Sequence, residues 1–354
     1  MRSVSYTEFG EPADVLTTLE ADTPTPGAGE VLLRLVLSPI HHHDLWTIRG
    51  TYGVRPELPA VPGSEAVAVV ERLGEGVDSV AVGDRVAATA TPGTWSELFL
   101  APATSLLPLP AELPDEAAAQ LVAMPFSALS LLEHLDLAPG QVLVQNAATG
   151  AVGRLVAQFA RARDLRVISL VRRSSGIEEL AAQGIGDVVA TDQEDWEEQA
   201  RTLIGDAHVA AGLDSVGGEA ASQVLSLLGQ GGRLVVFGAM GGTTMALPSG
   251  PIIFRDLKVE GFWGAQVSAA MSTETRRRLI GEIIARLLSG EVTLPTAGVF
   301  GLDEVVAAVD ATLTDGRQGK VLLRAGARRP DEGPAGSDPG GALVLACELS
   351  RRRR

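Results

Sequence analysis

From residue 142 to residue 237, short apolar runs alternate with helical stripes, and this alternation limits the fold more than any other feature. Residues 142–144, 166–171, 187–189, 209–213 and 233–237 read as buried strands. Residues 152–163, 176–183, 196–204 and 218–228 read as the helices between them. A parallel neighbour needs a crossover long enough to return the chain to the strand's starting end, so this pattern predicts an α/β unit with helices on both faces of a parallel sheet.

The first strand of the series runs into Gln145-Asn146-Ala147-Ala148-Thr149-Gly150-Ala151-Val152-Gly153, and a helix with Leu155, Val156 and Phe159 on one side follows. Backbone N–H groups and the positive end of a helix dipole favour a pyrophosphate at such a turn. Gly150 lets the chain approach phosphates, and Gly153 lets the helix pack on the strand. Ala-Ala-Thr replaces the first half of the usual G-x-G-x-x-G pattern, so an ordinary strand–helix turn of small residues is the competing reading. The second strand ends at Val171-Arg172-Arg173-Ser174-Ser175, with no Asp or Glu at its tip. A tip that selects NADH wants a carboxylate for the ribose 2′-hydroxyl, whereas planar guanidinium groups suit a 2′-phosphate. The expected cofactor is therefore NADPH. Its expected binding residues are Asn146, Thr149, Gly150, Ala151, Val152, Gly153, Arg172, Arg173 and Ser174.

The first hundred residues have another texture. Short apolar runs at 31–37, 66–70 and 85–87 are broken by Gly and Pro, which suggests a compact barrel or sandwich. Residues 115–135 carry helical spacing, with Pro125 as a kink or boundary. Residues 263–325 are mixed, with helices expected near 275–288 and 302–312 and a closing strand at 320–323. From residue 326 the chain turns to Gly, Pro, Arg, Asp and Ser and ends in four arginines, and this tail is expected to be disordered.

Composition excludes several classes of function. The 354 residues are enough for about two domains. Lys and Arg total 29 against 44 Asp and Glu, a net charge of 29 − 44 = −15. Such a surface repels phosphate backbones and anionic membranes, so neither nucleic acid nor membrane is an expected partner. The single cysteine, Cys347, makes no internal disulfide and no four-cysteine zinc lobe. No apolar run reaches the roughly 18–20 residues of a membrane span, and a cytoplasmic protein is expected.

Over residues 1–325 the chain resembles the medium-chain dehydrogenase/reductase superfamily, and within it the NADPH-dependent 2-enoyl thioester reductases of the mitochondrial type. Residues 44–53 and 56–66, Gly93-Thr94-Trp95, Gln145-Asn146-Ala147, residues 254–257 and 261–263 carry the resemblance. It implies an α/β chain with a GroES-like β-barrel in residues 1–124 and a Rossmann doubly wound parallel sheet in 125–262. Residues 263–325 would return to the barrel domain. It implies Tyr52 as the catalytic residue, with Trp263, Phe126 and His41 in the substrate cleft, and a small-molecule or acyl-thioester substrate. It also implies a homodimer through the Rossmann sheet edge, for which residues 233–237 and 252–254 are candidates. A structural tyrosine under a turn competes with the catalytic reading of Tyr52, because Gly53 follows it.

In zinc-dependent relatives the ligands would fall, by the same resemblance, at His41, Ser64 and near Met124. Serine rarely binds zinc and a thioether suits softer metals, so no metal is expected. The run His41-His42-His43 points the other way, and capping near Asp44, a polar cleft lining, or contact with substrate or cofactor remain open for it. An enoyl thioester reductase is the leading reading. A quinone or enone reductase, a zinc alcohol dehydrogenase and a non-catalytic NADPH sensor are the alternatives.

Overall fold

The computed structural model describes residues 1–242 and 244–326, so all of the expected disordered tail after Gly326 lies outside the described residues. The chain opens with β1 (Arg2–Ser5) and β2 (Thr17–Glu20), an antiparallel pair with Arg2 opposite Glu20. Next come β3 (Glu30–Pro39), β4 (Glu65–Leu73), β5 (Arg85–Thr89), β6 (Leu98–Pro102) and β7 (Leu106–Pro108). β3 is almost wholly buried because it pairs with β4 and with β6. Register shifts in the β3–β4 pair, between Leu32 and Leu33 and between Leu35 and Leu37, let the sheet curve.

A second sheet holds β8 (Val142–Gln145), β9 (Arg166–Val171), β10 (Val188–Ala190), β11 (Val209–Asp214), β12 (Arg233–Val236) and β13 (Lys258–Gly261). All its pairings are parallel, in the order β10-β9-β8-β11-β12-β13. The strand order reverses between β8 and β11, the place where open α/β sheets bind ligands beyond the strands' carboxyl ends. β13 was not legible in the sequence, and it corrects the expected edge: β12 lies inside the sheet, and β13 is the outer strand.

The last strands leave this sheet. β15 (Lys320–Arg324) pairs antiparallel with β3, with Leu322 opposite Pro39, and β14 (Thr296–Gly301) runs parallel beside it. The C-terminal segment thus completes the first sheet, as the resemblance implied. The helical stretch expected at 115–135 is two helices, Asp115–Ala118 and Ala123–Leu135, with the boundary just before Pro125 rather than at it. Pro125 sits in the first turn of the second, where its missing N–H breaks no intrahelical bond. Val67 and Leu322 of the first sheet share one apolar core with Leu143 of the second and with Phe159, which is fully buried. Each such side chain contributes roughly 1.5–3 kcal/mol by leaving water.

Candidate active site

The end of β3 and the start of β4 lie side by side, and this brings the three-histidine run to Ser64 and Glu65. Ser38 on β3 donates its hydroxyl to the Glu65 carbonyl at 2.7 Å. Gly63 makes the sharp entry into β4 with φ +95, and a Cβ there would lie 2.3 Å from Thr94 Oγ1 and from Trp95 Cδ1. The chain then turns from β3 through an extended His41 into a helix, His42–Ile48, so capping near Asp44 is the reading of the histidine run that the fold bears out. Asp44 closes the first turn of that helix, accepting the His41 backbone N–H at 2.9 Å. Because His41 stands just outside the helix, its ring and that of His43 stack at 4.9 Å instead of diverging.

His41 does not line an open cleft. It is completely buried, and its Nε2 is 2.9 Å from Glu65 Oε2. The other oxygen of Glu65 accepts the backbone N–H groups of Val122 and Ala123 at 2.6 and 3.0 Å. Glu65 therefore caps the helix Ala123–Leu135 from 58 residues away. Such charge-assisted bonds contribute about 1.5–3 kcal/mol each. Burial pushes the Glu65 carboxyl up to about 7, against the pull of the Val122 and Ala123 N–H groups. Burial also holds His41 well below its ordinary value, with the Lys320 ammonium adding to it. His42 is lowered to about 4, first by burial and then by Lys320.

These residues do not fit a zinc ion. Ser64 Oγ donates to Asp44 Oδ1 at 2.8 Å and lies 2.8 Å from His43 Nε2, so its hydroxyl is already engaged. His41 and Glu65 use their facing atoms on each other, and Met124 offers a thioether on a helix. No group of three or more His, Cys, Asp or Glu side chains that could hold a metal occurs among the described residues.

Tyr52 follows the helix in an irregular turn. Its ring stacks on His43 at 5.8 Å, and its hydroxyl makes no hydrogen bond among the described residues. Trp263, just after β13, reaches across from the second sheet: a Cβ on Gly53 would meet its Cζ2 at 3.4 Å. Trp263 is 49% exposed, and its ring stands beside Gly53, the residue after Tyr52. Phe126 does not join them. It is buried in the main core with the Arg276 guanidinium over its ring.

The cofactor loop sits at the reversal of strand order. Gly150 is the N-cap of the helix Ala151–Arg161, and no side chain caps that end, which leaves first-turn N–H groups for an anion. A Cβ on Gly153 would lie 2.8 Å from the Ala147 carbonyl oxygen, so the helix packs tightly on the loop. Asn146 is turned inward: its amide donates to Asp214 Oδ1, and its oxygen accepts the Ser215 N–H at 3.0 Å. It clamps the ends of β8 and β11 together. Arg154, which the sequence reading missed, is buried beneath the loop, donates to the Thr149 carbonyl at 2.7 Å and pairs with Glu179.

At the tip of β9, Arg173 and Arg172 both reach Asp315 Oδ2, at 2.5 and 3.3 Å. A carboxylate of this chain thus sits as a stand-in anion where the 2′-phosphate is expected, and the tip fits a phosphate. The Arg173 hydrogen bond, with the Arg172 charge behind it, holds Asp315 below the usual carboxylate range. Ser174 is engaged separately, through its N–H and hydroxyl to Asp192 at 3.1 and 3.0 Å.

Residues 27–111 match the alcohol dehydrogenase GroES-like domain family, and residues 151–280 match the family described as zinc-binding dehydrogenase. The chain is 30% identical over 329 residues to the mitochondrial enoyl-[acyl-carrier-protein] reductase of Homo sapiens, covering 91% of this chain and 88% of that one. It superposes on a mycobacterial protein complexed with NADPH at TM-score 0.81, with 26% identity over 92% of this chain and 100% of that chain. A mycobacterial quinone oxidoreductase superposes at TM-score 0.77, with 26% identity over 92% of this chain and 99% of that chain. On its fold and on these likenesses, the chain belongs to the medium-chain dehydrogenase/reductase superfamily.

Proposed function

We propose that this enzyme is an NADPH-dependent reductase of 2-enoyl thioesters or related activated alkenes, and that it works without zinc. Bound NADPH supplies a hydride to the electron-poor alkene carbon. The chain's own residues bind the cofactor and manage the charge and the proton. The first-turn N–H groups after Gly150 hold the pyrophosphate, and Arg172 and Arg173 exchange Asp315 for the 2′-phosphate. Thr149, Ala151, Val152 and Gly153 shape the loop, and Asn146 acts on it through Asp214. Trp263 walls the acyl cleft beside Tyr52.

Negative charge grows on the substrate carbonyl oxygen during reduction, and Tyr52 donates its O–H there. A phenol O–H can donate a hydrogen bond to that developing charge. The observation that carries this reading is the Tyr52 hydroxyl, which has no hydrogen-bond partner among the described residues, next to ligand positions already spent on internal hydrogen bonds. Tyr52→Phe keeps the ring on His43 and removes only the donor. Turnover of NADPH with crotonyl-CoA should fall about 10²–10³-fold, in kcat and kcat/KM together, with NADPH affinity kept. A chelator should leave the wild-type enzyme unchanged. Wild-type turnover in Tyr52→Phe makes the tyrosine structural, and activity lost to chelator and restored by zinc moves the chemistry to a metal.

Likeness to a quinone oxidoreductase supports a second reading, in which the same cleft takes a quinone or enone. A cytoplasmic homodimer completes the proposal. The outer strand β13 exposes Val259, and Phe254 nearby is 82% exposed, so a second copy can extend the sheet. No described helix is long and apolar enough to cross a membrane.

A further inference from the structure

We propose that His43, as its imidazolium, is the proton donor of this reaction, oriented through Nε2 by Ser64 and Asp44, and that it delivers its Nδ1 proton to the carbon beside the substrate carbonyl. The proposal rests on the alkene-reductase reading above.

The tautomer follows from counting protons. Ser64 has one hydroxyl proton and two partners, Asp44 Oδ1 and His43 Nε2, each at 2.8 Å. A carboxylate only accepts, so the serine proton goes to Asp44. Ser64 must then accept from His43, which places a proton on Nε2. His43 Nδ1 has no hydrogen-bond partner among the described residues and is not one of the buried, unpaired nitrogens. The side chain is 25% exposed and stacks on Tyr52, so this nitrogen belongs to the open side of the site. Asp44 is itself anchored, buried and tied to the start of the helix His42–Ile48.

The chain of bonds suits a group that gives up a proton. Protonated His43 carries N–H at both ring positions, and Asp44 Oδ1 lies 3.5 Å from its Nε2. Losing the Nδ1 proton leaves the run from His43 through Ser64 to Asp44 unchanged, so no hydrogen bond is remade during the step. Reduction at the far alkene carbon leaves one negative charge over the carbonyl oxygen and the adjacent carbon. The new C–H bond forms there with the His43 proton, and the N–H electron pair stays on Nδ1. The substrate charge is cancelled, and His43 takes its next proton from water. Tyr52 stays on the carbonyl oxygen throughout.

The test uses the full chain with NADPH and crotonyl-CoA. His43→Gln keeps an N–H donor for Ser64 and loses the transferable proton. Its kcat should fall about 10²-fold, with the KM for the alkene and the Kd for NADPH held within about threefold. The solvent deuterium isotope effect on kcat should rise, because water becomes the donor. His43→Ala should fall similarly and recover in part with added imidazole. Independently of activity, ¹⁵N NMR of the free protein should show neutral His43 protonated at Nε2. A His43→Gln kcat within about threefold of wild type, or a proton found on Nδ1 of neutral His43, overturns the proposal alone. A wild-type enzyme that reduces no activated alkene overturns the functional reading, and this proposal with it.

Discussion

Lys320 keeps a charge in a place that resists it. The side chain is buried, and its ammonium reaches the Ile40 carbonyl oxygen only at 3.5 Å. Burial lowers its pKa from 10.5 to about 8, with Arg317 nearby adding to the effect. Between those two values the unfolded chain holds the proton and the folded chain does not, so stability should rise with pH from about 8 to 10.5. Below 8 the protein bears the whole cost, about 3 kcal/mol at roughly 1.4 kcal/mol for each tenfold change in proton affinity. Lys320→Met should therefore raise Tm at pH 7 and flatten the alkaline rise. Thermal melts from pH 7 to 10.5 check this, and an unchanged rise in the variant shows that another group is responsible. Lys320 escaped the sequence reading because its partner, Ile40, lies 280 positions away. Tyr52, Arg172 and Arg173 could be nominated from sequence because each sits inside a motif of adjacent residues. His41 was misplaced for the opposite reason: the motif shows a histidine, but only the fold shows Glu65 facing it.

At the scale of elements, the βα repeat was readable nearly strand by strand, since buried parallel strands are apolar throughout and helices are not. The helix His42–Ile48 showed in the sequence only as a capping signal near Asp44, because it is short and buries just two apolar side chains, Leu45 and Ile48. β13 was hidden because it is an outer strand with mostly exposed side chains, Lys258 and Val259 among them. The turn into β4 depends on Gly63, which is both left-handed in φ and without room for a side chain. Gly63→Ala should cost about 3 kcal/mol from backbone strain and the collision with Thr94 and Trp95. Since this turn sets Ser64 and Glu65, activity on crotonyl-CoA should fall as well. Urea unfolding measures the first effect, and a variant as stable as wild type would show that the turn relaxes freely.

Across the whole molecule, the tie between Asp315 and the β9 arginines spans 142 positions and joins the C-terminal segment to the second sheet. Arg172→Ala with Arg173→Ala should weaken NADPH about ten- to hundredfold and leave NADH nearly unchanged. Asp315→Asn should tighten NADPH a few-fold without altering NADH, as expected for an exposed competing ion pair. Isothermal titration of both cofactors reads both effects, and equal losses for the two cofactors in the arginine variant would sink the assignment of the tip. Asp315 could not be found from sequence, because nothing near it marks the tip it reaches. Its consequence is kinetic as well as energetic. Exposed side chains change rotamer within nanoseconds, far faster than a cofactor arrives by diffusion. The carboxylate therefore does not gate entry. It lowers the bimolecular association rate for NADPH only by the fraction of time it is closed, in a single phase with no lag.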